Sequence, residues 1–307
     1  MSTATAHGGI GCTLASAVGQ PLRWHLIAGS ILLNENTKHI ICYSGGHSSA
    51  LVAIEVTRKF GKESVILLNH DIHANSEGAD IKRFKTAVAS YLEIPITYAN
   101  HIMWDTKDQF DVVIDANAFK VGNGTALCTN RLKTQPFEKY LKEFHSDKNC
   151  VIYYGFDANE KVRIQRRIGH LSGLGYRTDY PLALWGVLSR TIKSTREIGI
   201  EPPNTYESFK HANCTGCLKA GKQHWYIVYL TRPDIWAKGK AAEESIGYTI
   251  MKEQSLEELE PLFERMKLAG ITTTEHEGGV TFFARVKRLF KEMDVTVEDT
   301  IPCECVF

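Results

Sequence analysis

The sequence predicts an α/β fold, in which a twisted parallel sheet is flanked by helices and followed by a mainly helical C-terminal extension. Short continuous apolar runs at residues 40–43, 64–69 (SVILLN) and 150–154 (CVIYY) are typical of strands covered on both faces. Stretches with helical apolar spacing, such as 81–92, separate these runs. Strands that alternate with helices at this interval favour a parallel sheet with right-handed crossovers.

The elements follow from the same pattern along the chain. In the first half we predict a strand at 40–43, a helix ending at Gly61, a strand at 64–69, a helix at 81–92, a strand at 94–98, a helix from 129 or 130 to 144, a strand at 150–154 and a helix at 158–170. Residues 100–126 are ambiguous, because a strand-like Val-Val-Ile run lies among polar residues. Further helices are expected at 22–33, 254–268 and 282–293.

Composition and charge exclude several classes of protein. The chain has 307 residues, 43% of them hydrophobic and 23% charged, with a formal net charge of +1, so any surface for a polyanion must be a local patch. No apolar run approaches a membrane span, and residues 1–20 lack the pattern of a signal peptide, which predicts a cytoplasmic protein with no membrane partner. Eight cysteines in a chain this long indicate buried thiols and ligands rather than a disulfide scaffold.

A tight turn follows the first strand and precedes the first helix. It consists of Ser44, Gly45, Gly46, His47, Ser48 and Ser49. Adjacent glycines let the backbone approach an anion closely, and we expect Ser48 or Ser49 to cap the helix, whose N-terminal amides favour negative charge. The turn is neither a Walker loop nor G-x-G-x-x-G, but a nucleotide pyrophosphate suits it.

The S-G-G-x-x-S pattern resembles the PP-loop of ATP pyrophosphatases in the adenine nucleotide α-hydrolase-like superfamily, near the phosphoadenosine-phosphosulfate (PAPS) reductase-like proteins. The resemblance implies a Rossmann-like sheet, ATP bound at residues 44–49, and cleavage between the α and β phosphates. This chain departs from the usual pattern with Ser48 in place of Asp and His47 in place of the common Lys. The implied organisation is an N-terminal arm and helix (1–37), a PP-loop nucleotide-binding domain (38–175) and a C-terminal extension (176–307).

Polar residues follow two other predicted strands, and ligands of open parallel sheets bind beyond strand carboxyl ends. After the second strand, Asn69 and Asp71 are expected near the ribose and adenine by resemblance, although Asp71 also suits a capping role. After the strand at 150–154, Gly155 permits close approach of the backbone. Asp157 and Glu160 suit either Mg²⁺, which takes few carboxylates and several phosphate oxygens, or a helix cap.

Two basic segments are candidates for substrate contact. Arg163, Arg166, Arg167 and His170 recur at helical spacing as one basic stripe, which is either a solvated face or a dock for a phosphate-rich substrate. The segment 128–133 (CTNRLK) resembles the C-x-x-x-[LM]-K segment of PAPS-reductase-like proteins. By that resemblance Arg131 and Lys133 neutralise charge on the phosphates; the alternative is an ordinary helix start with exposed bases.

Cys128, Cys214 and Cys217 are the cysteines in polar surroundings. Cys-x-x-Cys places two sulfurs to share one metal or cluster, and Cys128 supplies a third thiolate. Three cysteines on a [4Fe–4S] cluster leave one iron open for sulfide. A Zn²⁺ site with His211 as fourth ligand is the alternative, as are free thiols. The run 211–225, with K-A-G-x-x-H-W, is similar to PAPS-reductase-like proteins of bacteria and phages.

The function that this resemblance implies is an ATP pyrophosphatase that adenylates its substrate to permit sulfur incorporation, in DNA phosphorothioation. The expected partners are a cysteine desulfurase as sulfur donor, a nucleic-acid substrate and, as one option, a second copy of the chain. Alternatives are tRNA thiolation, a PAPS or adenosine-phosphosulfate reductase, and a zinc-stabilised nucleic-acid-binding module. The C-terminal Cys303-Glu304-Cys305 lacks the G-[LI]-H of such reductases, which disfavours sulfonucleotide reduction.

Overall fold

The structure is a computed structural model that describes residues 36–104, 106–120, 126–186, 190–212 and 214–290. All of them fall within one compact unit, Asn34–Phe307. The helix predicted at 22–33 and the C-terminal Cys303 and Cys305 lie outside the described residues. The predicted domain boundaries stay predictions.

Five parallel strands form the sheet. In chain order they are β1 (Lys38–Cys42), β2 (Val65–Asn69), β3 (Ile96–Tyr98), β4 (Cys150–Tyr153) and β5 (Arg177–Asp179). Their spatial order is β3-β2-β1-β4-β5, and each neighbouring pair is parallel. This arrangement confirms the predicted α/β fold with a parallel sheet, and it adds β5, which the sequence pattern did not indicate.

Helices cover the sheet and form the region after it. In chain order they are α1 (His47–Phe60), α2 (Ala79–Leu92), α3 (Gln109–Asp115), α4 (Leu127–Thr129), α5 (Gln135–Phe144), α6 (Lys161–Gly173), α7 (Pro181–Leu184), α8 (Lys222–Thr231), α9 (Pro233–Ile246), α10 (Leu256–Leu268) and α11 (Gly279–Leu289). A π-helical turn, Asn130–Thr134, joins α4 to α5. Within the described part of the chain, no helix has the length and apolarity needed to cross a membrane.

Helix α3 corrects the interpretation of the Val-Val-Ile run, which is helical and not a strand. Asp108 begins the helix with a capping box: its carboxylate accepts from the amides of Phe110 at 2.9 Å and Asp111 at 3.0 Å. The Asp111 carboxylate accepts in return from the Asp108 amide at 3.0 Å. The cap satisfies amides that have no partner within the helix and outweighs the β propensity of the branched residues.

The central strand β1 separates two of the three cores. Because side chains alternate along a strand, Ile41 belongs to the core formed with α1 and α2, and Ile40 belongs to the core on the opposite face. Both side chains are fully buried. A third core, with Trp225 and Phe263 at its centre, is formed by α3 and helices α8 to α11.

All five strands run in one direction, so their carboxyl ends meet at one edge of the sheet. Cys42 of β1 pairs in register with Leu68 of β2, and Ile41 pairs with Tyr153 of β4. The segments that follow β1, β2 and β4 are therefore brought side by side, although about 110 residues of chain separate the first from the last. This edge carries the candidate site.

Candidate active site

A cavity of about 420 Å³ opens at the carboxyl edge of the sheet. Its walls come from the segments after β1, β2 and β4, from the π-helical turn, and from residues 206–212 and Cys214. Its lining includes Ser44, Gly46, Ser48, Ser49, Asn69, His70, Glu77, Lys133, Gly155, Asp157, Glu160, Arg163, Tyr206, Lys210, His211 and Cys214. Most of the predicted nucleotide-site residues are thus brought together.

The glycines of the first turn are required by close packing. Gly45 has φ +80°, and a Cβ there would lie 2.9 Å from Ile81 Cγ2; a Cβ on Gly46 would lie 3.1 Å from the hydroxyl of Tyr206. Helix α1 begins at His47 with Gly46 as its N-cap and no side-chain cap, so the expected capping by Ser48 or Ser49 is wrong. Instead Ser49 lies in the first helical turn of α1, and its hydroxyl donates to the Gly46 carbonyl at 2.8 Å.

The His47 side chain contacts the 194–195 segment. Its Nε2 accepts from the Thr195 amide at 3.3 Å and lies 3.5 Å from the Ser194 hydroxyl. Burial, assisted by the charge of Arg196, lowers the pKa of His47, which suits a neutral ring that accepts a hydrogen bond. Its backbone amide donates at 2.9 Å to the hydroxyl of Tyr206.

The segment after β2 contributes unequally. Asn69 lines the cavity, and its Oδ1 accepts from Lys85 Nζ at 2.9 Å. His70 also lines it, and burial lowers the pKa of His70 to about 3, so its imidazole is neutral at physiological pH. Asp71 lies at the surface with half of its side chain exposed, and it pairs with Lys82 Nζ at 2.7 Å.

A buried ion pair lies behind the first turn. Lys85 Nζ is 2.7 Å from a carboxylate oxygen of Glu77, and their side chains are 1% and 9% exposed. Burial raises the pKa of Glu77 and lowers that of Lys85, against the opposing charge of each partner. Sequence reasoning missed this pair. The available signal was Lys85 on the apolar stripe of α2, one turn after Ile81.

Gly155 allows two loops to touch. A Cβ on Gly155 would lie 2.9 Å from the carbonyl carbon of Ser48 and from the amide nitrogen of Ser49. The close approach is therefore between the segment after β4 and the start of α1, and all three residues line the cavity. Any larger residue at this position would push the first turn away from β4.

Asp157 and Glu160 line the cavity while they also order the start of α6. The Asp157 carboxylate accepts from the Asn159 amide at 3.2 Å, and the Glu160 carboxylate accepts from the Asp157 amide at 2.8 Å. Glu160 further pairs with Arg163. These bonds leave carboxylate oxygens able to accept more than one contact, so a cation-binding role is compatible with the local structural one.

The arginines of α6 do not share one exposed face. Arg163 lines the cavity, with its guanidinium carbon 4.4 Å from the centroid of the Phe156 ring. Arg166 is exposed, whereas Arg167 is 8% exposed and lies 5.7 Å from the Tyr154 ring centroid. The side chains expected to act together are therefore separated, and Arg163 is the one at the cavity.

The π-helical turn Asn130–Thr134 contains both predicted cationic groups. Arg131 donates to the side chain of Gln135 at 2.9 Å, within its own helix. Lys133 lines the cavity of about 420 Å³ and also a second, much smaller one. Insertions of this kind in helices are frequent at functional sites, because the widened turn redirects its side chains.

The second cavity brings the three predicted thiols together. It measures about 20 Å³, and Cys128, Cys214 and Cys217 all line it. Cys214 and Lys133 line both cavities, so the two are neighbours. Among the described residues, no set of three His, Cys, Asp or Glu side chains is arranged to hold a metal ion. His211 lines the larger cavity.

Side chains from distant elements hold the Cys-x-x-Cys turn. His224 Nε2 accepts from the amides of Gly216 at 3.2 Å and Cys217 at 3.3 Å, and its Nδ1 lies 2.7 Å from a carboxylate oxygen of Glu275. Gln109 Nε2 donates to the Thr215 carbonyl at 2.8 Å. Sequence reasoning missed these supports. His224 stands in the conspicuous K-A-G-x-x-H-W run, whereas Gln109 and Glu275 carry no local signal.

The fold and the cavity define an α/β protein with an open parallel sheet and a ligand-sized site at its carboxyl edge. No family model matches the sequence, and no solved structure matches it. The chain is 24% identical over 210 residues to the uncharacterized nin region protein ORF290 of Escherichia phage lambda, across 60% of this chain and 67% of that protein. That name states no activity.

Proposed function

We propose that the protein is a PP-loop ATP pyrophosphatase that adenylates its substrate. The observation that carries the proposal is the cavity of about 420 Å³, which is lined by the glycine turn after the central strand together with the carboxylates of Asp157 and Glu160 and the cationic side chains of Lys133 and Arg163. That volume lies within the usual range of small-molecule sites, roughly 300–1,000 Å³. Ligands of open parallel sheets occupy this edge of the sheet.

The cavity residues suit the parts of Mg·ATP. The amides at the start of α1 and the hydroxyls of Ser44 and Ser48 would hold phosphate oxygens. Asp157 and Glu160 would hold Mg²⁺, since this ion binds proteins through one or two carboxylates and fills its remaining positions with water and phosphate oxygens. Bound there, Mg²⁺ would neutralise phosphate charge.

Adenylation requires little beyond positioning and charge neutralisation. An oxygen of the acceptor attacks the α-phosphorus, the bond to the bridging oxygen breaks, and pyrophosphate leaves. Lys133 and Arg163, which both line the cavity, would stabilise the charge that develops on the phosphates. AMP is then attached to the acceptor and is a good leaving group for a sulfur nucleophile.

The sulfur step is proposed from the neighbouring thiols. Cys214 lines both cavities, which would bring a thiol-held sulfur close to the activated acceptor. The cavity of about 20 Å³ holds roughly one water-sized sphere, so it would have to widen to hold a [4Fe–4S] cluster on these thiolates. Zn²⁺ remains the alternative. The proposed acceptor is DNA, with a cysteine desulfurase as sulfur donor.

The products of ATP turnover test the proposal. With α- and γ-labelled ATP, Mg²⁺, an acceptor and a sulfur donor, we expect AMP and pyrophosphate; without the sulfur donor, pyrophosphate should be released and the AMP label should stay on the acceptor. Gly46→Val should abolish ATP binding in a folded protein, because a side chain there meets Tyr206 and fills the turn. Gly169→Val is the control, since a Cβ at Gly169 meets nothing within 4 Å.

Formation of ADP and phosphate would contradict the proposed chemistry. Parallel assays with duplex DNA, tRNA and PAPS separate the alternatives. AMP formation that depends on tRNA indicates tRNA thiolation, and sulfite released from PAPS by a dithiol reductant without ATP indicates a reductase.

A further inference from the structure

Tyr206 reaches the first turn from 159 positions further along the chain. It belongs to the 3₁₀ turn Asn204–Glu207 and lines the large cavity. Its hydroxyl accepts from the His47 amide at 2.9 Å and stands 3.1 Å from the position of a Cβ on Gly46. The phenol oxygen thus lies against the glycine turn, beside the cavity in which the sequence pattern predicts an anion.

The phenol is held in place by contacts on both sides of its turn. The Tyr206 carbonyl lies 2.6 Å from Nε2 of His276, and the Asn204 amide donates to the Asp80 carboxylate at 2.5 Å. The Glu275 amide donates to the Ser208 carbonyl at 2.8 Å. These bonds tie the segment to α2 and to the 275–276 turn, so Tyr206 is a fixed part of the site.

The direction of the hydroxyl proton follows from the contact with the turn. A tyrosine hydroxyl donates one hydrogen bond and accepts others. An amide can only donate, so the oxygen of Tyr206 is the acceptor towards His47 and retains its own O–H to donate. Burial raises the pKa of Tyr206, and hydrogen bonds from the backbone of His47 and of Ala212 oppose that rise. A hydroxyl that accepts from an amide is a stronger donor.

We propose that Tyr206 is an anion-binding residue of this site, which relays the His47 amide by donating its O–H to a phosphate oxygen of the bound nucleotide. The inference rests on the proposed function, because it takes the ligand to carry a pyrophosphate. It goes beyond the proposed function in two respects. The anion is bound by a side chain outside the glycine turn, and the His47 amide contributes through the Tyr206 hydroxyl and not by direct contact.

Calorimetric titration of the full chain tests the relay, with inorganic pyrophosphate, Mg·ATP and adenosine as separate probes. Tyr206→Phe should weaken pyrophosphate and ATP binding by roughly tenfold or more, the effect of one hydrogen bond to a charged group. Adenosine binding should not change. The control is Tyr226→Phe, which removes a buried hydroxyl that donates to the Ile271 carbonyl at 2.6 Å within the C-terminal helices.

Each outcome bears on one proposal. Equal pyrophosphate affinity in wild type and Tyr206→Phe would overturn the relay and leave the ATP pyrophosphatase proposal standing. Tighter pyrophosphate binding in Tyr206→Phe would also overturn it, since the phenol would then compete with the anion for the His47 amide. Wild-type protein that binds pyrophosphate but forms no AMP from ATP would refute the proposed reaction and not the anion site.

Discussion

At the scale of single residues, glycines set how closely the walls of the cavity approach each other. Gly155 lies against the backbone of Ser48 and Ser49, and Gly45 lies against Ile81 of α2. In both places a Cβ would come within 2.9 Å of a neighbour, a distance at which something must shift. At Gly155 the neighbour is backbone, which cannot turn aside as a flexible side chain does. The position of the glycine turn 44–49 therefore depends on Gly155.

We accordingly predict opposite effects of two glycine substitutions. Gly155→Ala should destabilise the protein by about 1–3 kcal/mol and weaken ATP binding, because the new methyl group displaces the start of α1. Gly169→Ala, within α6, should stabilise it by about 0.5–1 kcal/mol, because alanine favours the helix and its Cβ meets nothing within 4 Å. Urea unfolding and ATP calorimetry measure both effects. Unchanged ATP affinity in Gly155→Ala would show that the turn tolerates the displacement.

At the scale of elements, the site is built from segments that follow strands, and this part was predictable. Continuous apolar runs identified β1, β2 and β4, and parallel strands bring their carboxyl ends to one edge. Asn69, Gly155 and Asp157 could be placed beside the first turn by that rule alone. Strand β5 could not be predicted, because its short, half-buried Arg-Thr-Asp sequence contains no apolar run. Helix α3 could not be predicted either, because its β-branched Val-Val-Ile run is typical of a strand.

The remaining site residues depend on contacts that local patterns do not encode. Tyr206 reaches the turn from an irregular segment, and Glu77 is placed by its pairing with Lys85. The prediction that the basic residues of α6 form one stripe was wrong, because Arg167 is buried against the Tyr154 ring and does not face solvent. Such outcomes are decided by tertiary packing, which periodicity indicates only for apolar side chains.

The segment before α6 supports a prediction about the two carboxylates. If Asp157 and Glu160 hold Mg²⁺, Asp157→Asn and Glu160→Gln should lower kcat for AMP formation by tenfold or more while ATP affinity changes little. Both amides keep an oxygen able to accept the bonds from Asn159 and Asp157, so the fold of the segment is preserved. Glu138→Gln is the control, since Glu138 of α5 is a partly exposed carboxylate that pairs with His170 of α6 and does not line the cavity. Steady-state kinetics across a Mg²⁺ titration measure the effect. Wild-type kcat and Mg²⁺ dependence in both variants would assign the carboxylates to the helix start alone.

At the scale of the whole molecule, two cavities of very different size share a wall. Lys133 and Cys214 line both, so a group held by the thiols would lie beside a nucleotide in the larger cavity. The wall joins elements far apart in sequence: the π-helical turn of the α/β part and the Cys-x-x-Cys turn, which His224 and Glu275 tie to the helical core. The helical region thus completes the candidate site in addition to supplying a core.

The three thiols decide between sulfur chemistry and a structural metal. If Cys128, Cys214 and Cys217 hold a [4Fe–4S] cluster, anaerobically purified protein should contain about four irons and four acid-labile sulfides per chain. Replacing any one of them with Ser should remove the iron and largely preserve ATP affinity, because the glycine turn lies on a separate element. Cys150→Ala, in β4, is the control and should keep both the iron and the ATP affinity.

His211→Ala separates a cluster from zinc. This variant should keep the iron, since His211 lines the larger cavity, whereas a zinc site that uses His211 as its fourth ligand would lose its metal. Elemental analysis, sulfide assay and ATP calorimetry supply the measurements. One zinc per chain without iron, together with unfolding when a cysteine is replaced, would refute the sulfur-carrying role. A structural zinc stabilises the folded state, so loss of one of its ligands unfolds the protein.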